Sequence, residues 1–382
     1  MSLKPATRIE TVEEYYFSTK LREVNKLSQE GKDIINLGIG NPDFETQNDV
    51  VDELVRSSAQ TGSNFYQSYR GLDALRSAFA DWYMNIYEVD LNPDNEILPL
   101  MGSKEGIMHV SMAFANPGDR VLIPNPGYPT YTSVSKLLNL DVQYYNLNEA
   151  NGWVPDMDEL TRLCTDNCKI IWLNYPHMPS GAKPSSKMFQ QLVEFAKSKN
   201  ILLAHDNPYS LINNENPESI VKYDTDRQNV VELNSLSKSH NMAGWRVGVA
   251  VGGAEIINHI LKVKSNFDSG MFKPIQEAAI KALHSDINWF KSLNKQYEAR
   301  RKIVTQLCDK LQCKFQPNTA GLFVWAKIPD FYKDSRDLTD HLLYEKDIFI
   351  TPGFIFGSNG DQYVRISLCA DEEKLHKALE RI

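Results

Sequence analysis

The 382-residue chain has only five cysteines, at positions 164, 168, 308, 313 and 369. An odd set without metal-finger spacing or neighbouring histidine pairs argues against a disulfide framework and against a zinc or other metal site. Cys164 and Cys168, four residues apart, read as two reduced thiols on or near one helix. The chain also lacks an apolar run long enough to cross a bilayer. Its first residues, MSLKPATRIETVEEYY, mix charges where a secretion signal needs an apolar stretch, so a cytoplasmic protein with no membrane partner is expected. No run of Lys and Arg forms a phosphate-tracking stripe, and the net charge is −8, which argues against nucleic acid as the main partner. There is no internal repeat and no low-complexity tract. A small-molecule substrate fits these absences.

What is present is an ordinary globular composition, 42% hydrophobic and 24% charged, in a chain longer than one core usually serves. Residues 12–27 carry apolar side chains at helical spacing and stop at Gly31, which predicts an amphipathic helix. From there to about residue 250, β-rich runs alternate with helical patterns: EILPLM, RVLIPN, DVQYYN, KIIWLN, NILLAHD, VVELNS and VGVAV. That rhythm predicts an α/β fold with a mostly parallel seven-stranded sheet flanked by helices. Long helical stretches follow, at 277–283 and around 297–311, then a second α/β unit with strands at LFVWAKI, IFITPGF and YVRISL and a closing helix at DEEKLHKALERI. The expected division is a large domain over residues 46–285 and a smaller one formed by residues 1–45 with 286–382.

In open α/β sheets ligands bind beyond the carboxyl ends of the strands, so the residues just after each strand carry the information. Gly102-Ser103-Lys104 follows EILPLM and enters a helix, a turn whose backbone N–H groups suit a phosphate, although such a turn is more often a plain N-cap. Asp206 ends NILLAHD, with Tyr209 three residues on. An acid there is costly to bury without a cationic partner, and a protonated pyridinium nitrogen would be one; an ordinary helix cap is the alternative. After VVELNS come Ser235, Ser237 and Lys238, with Arg246 eight residues further. A lone lysine is usually a solvated charge, but this one stands beside a phosphate-suited turn, as a Schiff-base amine would.

The segment SLSKSHNMAGWRVG resembles the S-x-S-K-x-x-x-x-x-G-x-R-x-G signature of the aspartate-aminotransferase-like, fold-type I pyridoxal-phosphate enzymes. NLGIGNPDF, YQSYRGLDALRSAF, GSKEGI, NPGDRVLIPNPGYPTY, HDNPYS, GLFVWAKIP, PGFIFG and YVRISL fall in that family's order and spacing over nearly the whole chain, and GSKEGI with NPGYPTY is most similar to the LL-diaminopimelate aminotransferase branch. The resemblance implies a pyridoxal-phosphate-dependent aminotransferase that moves an amino group between an L-amino acid and a 2-oxo acid through a pyridoxamine phosphate intermediate. It implies Lys238 as the Schiff-base residue and proton-transfer base, Asp206 against the ring nitrogen, Tyr209 on the ring oxygen O3′ and Tyr128 stacked on the ring. By the same resemblance Gly102, Ser103, Lys104, Ser235, Ser237 and Arg246 would hold the phosphate, Arg365 would clamp the substrate carboxylate, and the backbone of Ile39 and Gly40 would close over it. Tyr66 matches the tyrosine that reaches the phosphate of a neighbouring subunit, which implies a homodimer with shared sites.

One departure stands out. Where the family has an asparagine in N-P-x-G, this chain has Met178-Pro179-Ser180-Gly181, and methionine cannot donate a hydrogen bond to O3′. Asn174 or His177 would compensate, or Tyr209 would serve alone. A C–S lyase on the same scaffold and a catalytically retired homologue are the competing readings. Side-chain specificity is assigned no residues beyond Tyr15, Tyr16 and the stretch 266–271 as candidates.

Overall fold

The computed structural model describes residues 3–14 and 16–382; Tyr15 lies outside them. After a two-residue strand β1 (Ile35–Asn36), the seven apolar runs form β2 (Ile97–Leu100), β3 (Arg120–Asn125), β4 (Asp141–Asn146), β5 (Cys168–Asn174), β6 (Leu202–Asp206), β7 (Val230–Ser235) and β8 (Gly248–Gly252). All seven join one sheet in the order β2-β8-β7-β6-β5-β3-β4. β8 is antiparallel to both neighbours, and the other four pairings are parallel. Ile170 and Trp172 of β5 pack into one apolar cluster, Ile171 and Leu173 into another. Neither face of the strand meets water, which is why KIIWLN reads as continuous apolar sequence rather than alternation.

This topology fixes where chemistry can occur. Parallel strands deliver their carboxyl ends to one edge, and antiparallel β8 delivers its amino end there. The turns after β2, β5, β6 and β7 therefore meet the turn before β8, although up to about 150 residues separate them in sequence.

The C-terminal strands β9 (Lys314–Phe315), β10 (Phe323–Lys327), β12 (Thr351–Pro352) and β13 (Tyr363–Ser367) form an antiparallel sheet ordered β12-β13-β10-β9. β11 (Ile348–Phe349) pairs in parallel with β1 and ties the N-terminal segment to this part of the chain. IFITPGF thus supplies two short strands rather than one, and β9 is too short to announce itself by periodicity.

Two local expectations change. The first helix, α1, spans Tyr16–Gln29 rather than beginning at Val12, which is extended with φ −125°. The buried stripe of α1 begins at Phe17, so the apolar Val12 belongs to the approach. Cys164 ends the helix Met157–Leu163, while Cys168 opens β5, so the two buried thiols do not share a helix. Among the described residues no helix is long and apolar enough to cross a membrane.

Candidate active site

The strand ends surround a cavity of about 600 Å³. Of the residues singled out from sequence, Ile39, Gly40, Ser103, Lys104, Tyr128, Asn174, Met178, Asp206, Tyr209, Ser235, Ser237, Lys238, Arg246 and Arg365 all line it. Gly102 lies directly behind it, packed on Arg246. Tyr66 is not among them. It is 91% exposed, away from the cavity of its own chain.

The phosphate-suited corner is built by three turns. Gly102 has φ +86°, and a Cβ there would stand 1.9 Å from Nη2 of Arg246, so only glycine lets the guanidinium approach the start of α2 (Ser103–Phe114). Nη1 of Arg246 donates to Ser237 Oγ at 3.2 Å and to the Ala243 carbonyl at 2.9 Å. Ser235 Oγ donates to Ser237 Oγ at 2.9 Å and accepts from the Ser237 N–H at 3.1 Å. Two serines, an arginine and the amino end of a twelve-residue helix thus converge, a cradle for an anion.

Asp206 is buried at the carboxyl end of β6. Its Oδ2 accepts from the hydroxyl of Tyr131 at 3.0 Å, while Oδ1 is buried with no hydrogen-bond partner among the described residues. Burial pushes the carboxyl up to about 6, and the Tyr131 hydroxyl pulls it back down. The Ser103 side chain also lowers it, and a buried oxygen without a hydrogen-bond partner is costly and suits a cationic donor. Tyr131 was not foreseen. Its only sequence signal is the one-turn offset from Tyr128 on α3 (Pro129–Leu137), where it stacks on Trp172 with centroids 5.0 Å apart.

Lys238 sits across the cavity in the turn after β7, its Nζ donating to the Gly40 carbonyl at 2.7 Å. Burial pushes the ammonium down to about 8; Cys369 opposes this shift, while the nearby charges of Arg365 and Arg246 add to it. A larger fraction of this amine is therefore neutral near pH 7 than of an exposed lysine, as a general base requires.

Arg365 comes from β13 and is buried. Nη2 donates to the Gly38 carbonyl at 2.9 Å, and Nη1 points at the sulfur of Met178 at 3.4 Å. Its guanidinium lies 3.9 Å from the ring centroid of Phe323, 4.8 Å from Phe356 and 5.3 Å from Phe17. These aromatic walls also went unassigned in the sequence, since only the fold brings α1, β10 and the 353–356 turn together. Phe323 further explains Gly40, where a Cβ would stand 2.2 Å from the ring.

The methionine departure resolves in part. His177 is engaged at both ring nitrogens: Nε2 donates to the Pro126 carbonyl at 3.1 Å and Nδ1 accepts from Ser180 Oγ at 2.7 Å. Burial pushes it down to about 4, in keeping with a neutral ring. It has nothing left to offer the cavity. Asn174 accepts from the Met178 N–H at 2.8 Å and donates one N–H to the Asp206 carbonyl at 2.7 Å, which leaves a second N–H. Tyr209 lines the cavity, with its hydroxyl pushed up by burial.

The sequence profile described as aminotransferase class I and II matches residues 32–382. The LL-diaminopimelate aminotransferase of Halothermothrix orenii is 35% identical over 382 residues, covering 100% of this chain and 98% of that protein. That of Oleidesulfovibrio alaskensis is 38% identical over 380 residues, covering 99% and 98%. Among solved structures, substrate-bound BacF from Bacillus subtilis superposes with a TM-score of 0.94 at 35% identity, covering 100% of this chain and 97% of that one. The aspartate aminotransferase of Thermotoga maritima gives 0.91 at 28% identity, covering 99% and 98%.

Proposed function

The chain belongs to the aminotransferase class I and II family and is an enzyme that moves an amino group between an L-amino acid and a 2-oxo acid, and from that premise we propose which of its residues perform the transfer. The observation that carries the proposal is the pairing, in one cavity, of a half-buried lysine amine with a buried carboxylate oxygen that lacks a hydrogen-bond partner. Both fit pyridoxal phosphate, as does the cradle that a Cβ on Gly102 would fill. When bound, that cofactor supplies an aldehyde that condenses with amines and a ring that accepts the electron pair left on Cα when its proton departs.

The chain's own residues do the rest. Ser103, Lys104, Ser235, Ser237 and Arg246 would hold the phosphate, with Arg246 as the forked donor. Oδ1 of Asp206 would take the ring N–H, with Tyr131 keeping the carboxyl ionised. Tyr209 and the second N–H of Asn174 would face the ring oxygen in place of the amide that Met178 lacks. Arg365 would take the substrate α-carboxylate in exchange for a thioether contact, which is a weak acceptor and easily replaced. Nζ of Lys238 would move the proton at Cα, its lowered affinity giving a neutral fraction near pH 7. The 37–40 segment, whose carbonyls hold both cations at rest, would close over the substrate. We read residues 46–285 as the cofactor-holding domain and residues 1–45 with 286–382 as the smaller domain covering it. Exposed Tyr66 would serve the site of a second copy, in a homodimer.

The named relatives are aminotransferases, and the lyase reading gains no support from them. The test is a single half-reaction. Loss of the bound cofactor's visible absorbance on adding an amino donor, with one equivalent of the matching 2-oxo acid released, is the expected result. Pyruvate and ammonia from cystathionine would contradict it.

A further inference from the structure

The cavity divides by chemistry into two ends. Toward the sheet stand the cations Lys104, Lys238 and Arg246, with the serines and Asp206. Around Arg365 the walls are Phe17, Met178, Phe323 and Phe356, and Leu21 and Ile39 add apolar lining to the same cavity. Among the described lining residues, the other side-chain polar groups nearest these walls are uncharged: the hydroxyl of Tyr209, whose ring packs on Phe323 with centroids 6.0 Å apart, and that of Ser18. The Ser18 hydroxyl needs no further partner. It is already committed, donating to Glu14 at 2.6 Å and accepting from Arg22 at 3.2 Å.

On the transfer assignment above, three cations have duties: Lys238 at Cα, Arg246 at the phosphate and Arg365 at the α-carboxylate. Lys104 stands in the first turn of α2, at the phosphate end. The cations on α1 itself do not reach the cavity. Lys20 pairs with Glu23 at 3.0 Å and Asp340 at 3.6 Å, and Arg22 is held by both oxygens of Glu14 at 2.5 and 2.7 Å. Arg336 lies 4.6 Å from the ring of Phe354 in the 353–356 turn, but neither residue lines the cavity. A substrate side chain inside the cavity beside Arg365 therefore meets phenyl rings, a leucine, an isoleucine and a thioether. A carboxylate placed there would lose its hydration without gaining a cation, whereas an aliphatic or aromatic side chain would gain burial. The Met178 substitution acts in the same direction, since it replaces an amide with an apolar, adaptable side chain.

We propose that the substrate class of this enzyme is the L-amino acid with an uncharged, apolar side chain, such as leucine, methionine or phenylalanine, and not an amino acid with a second carboxylate. The inference rests on the assignment of Arg365 to the α-carboxylate. It departs from the substrate after which the two diaminopimelate relatives are named, which carries a carboxylate and an ammonium at its far end.

The experiment measures single half-reactions of the full-length enzyme loaded with pyridoxal phosphate, by loss of cofactor absorbance. The donors are L-phenylalanine, L-methionine, L-leucine, L-aspartate, L-glutamate and LL-diaminopimelate. The expected result is a second-order rate constant at least 10-fold higher for the best apolar donor than for any donor with two carboxylates. A second arm uses Leu21→Arg, at a half-buried position that lines the cavity. It is expected to raise the rate constant for aspartate or glutamate at least 5-fold while lowering that for phenylalanine. Diacid donors reacting as fast as apolar ones in the unaltered enzyme would overturn the inference and leave the aminotransferase reading standing. Reaction with no donor at all would overturn both.

Discussion

Two side chains separate this site from a mere collection of polar groups around a cavity. Lys238 is lowered to about 8 from an ordinary 10.5 by burial. Between those two values the unfolded chain binds more protons than the folded one, so the cofactor-free protein gains stability as pH rises through that window. Replacement by Lys238→Met should flatten that part of the curve, as read from melting temperature between pH 7.5 and 10. Tyr131 is the second. Its hydroxyl opposes the upward shift that burial imposes on Asp206, so Tyr131→Phe should move Asp206 further toward its neutral acid. We expect about 10-fold weaker binding of pyridoxal phosphate, equivalent to one hydrogen bond to a charged group, measured by equilibrium dialysis, with little change in melting temperature. That Lys238, Asp206 and Arg246 share one cavity was legible in sequence only through their conjunction at strand ends and the family resemblance, since each alone reads as an ordinary cap or surface charge. Tyr131 and the three phenyl rings around Arg365 were not, because their contacts exist only once α3, α1, β10 and the 353–356 turn are packed. The consequence of Met178 was only half legible, since both ring nitrogens of His177 are taken by neighbours that sequence does not place beside it.

Connections carry the function at the scale of elements. The turn from β2 to α2 needs a glycine twice over, for φ and for the approach of Arg246. Gly102→Ala should therefore cost about 1–3 kcal/mol in backbone strain and displace Arg246, weakening cofactor binding at least 10-fold while the fold survives. A second connection is the clasp on the 37–44 segment. Arg300, on α4 (Ile287–Lys310), donates to both carboxylate oxygens of Asp43, at 2.6 and 2.9 Å, and to the Leu368 carbonyl at 3.0 Å, with its guanidinium 4.0 Å from the Phe44 ring. Asp43→Asn leaves a buried guanidinium short of charge compensation, which should cost about 2 kcal/mol, below the range for a fully buried pair because Asp43 is partly exposed. Because the same segment presents Gly38 and Gly40 to the site, the variant should raise KM for the amino donor several-fold more than it lowers kcat. The alternation of strands and helices predicted the seven-stranded sheet, since strands buried on both faces leave long apolar runs. Strands of two residues such as β1 and β9 leave no period to read, and the true start of α1 depended on which apolar residue found a partner.

The whole molecule gathers the turns after four parallel strands, and the turn before an antiparallel one, into a single cavity that the C-terminal sheet then covers. Sequence order could imply that arrangement by resemblance, but Tyr66 shows where one chain stops being informative. It is 91% exposed beside Phe65, itself 70% exposed, and Tyr69. In the proposed homodimer this patch would be covered and Tyr66 would meet the partner's phosphate corner. Analytical ultracentrifugation should give twice the chain mass at micromolar concentration, and Tyr66→Phe should weaken cofactor binding without changing that mass. A monomer of full activity would contradict the shared site.

The account depends most heavily on Lys238 as the residue that carries the cofactor. Borohydride reduction of the enzyme loaded with pyridoxal phosphate, followed by peptide mapping, tests it directly. The added mass is expected on the peptide containing Lys238 and nowhere else in stoichiometric amount. Stoichiometric label on Lys104 or any other lysine, with Lys238 unmodified, would contradict the account.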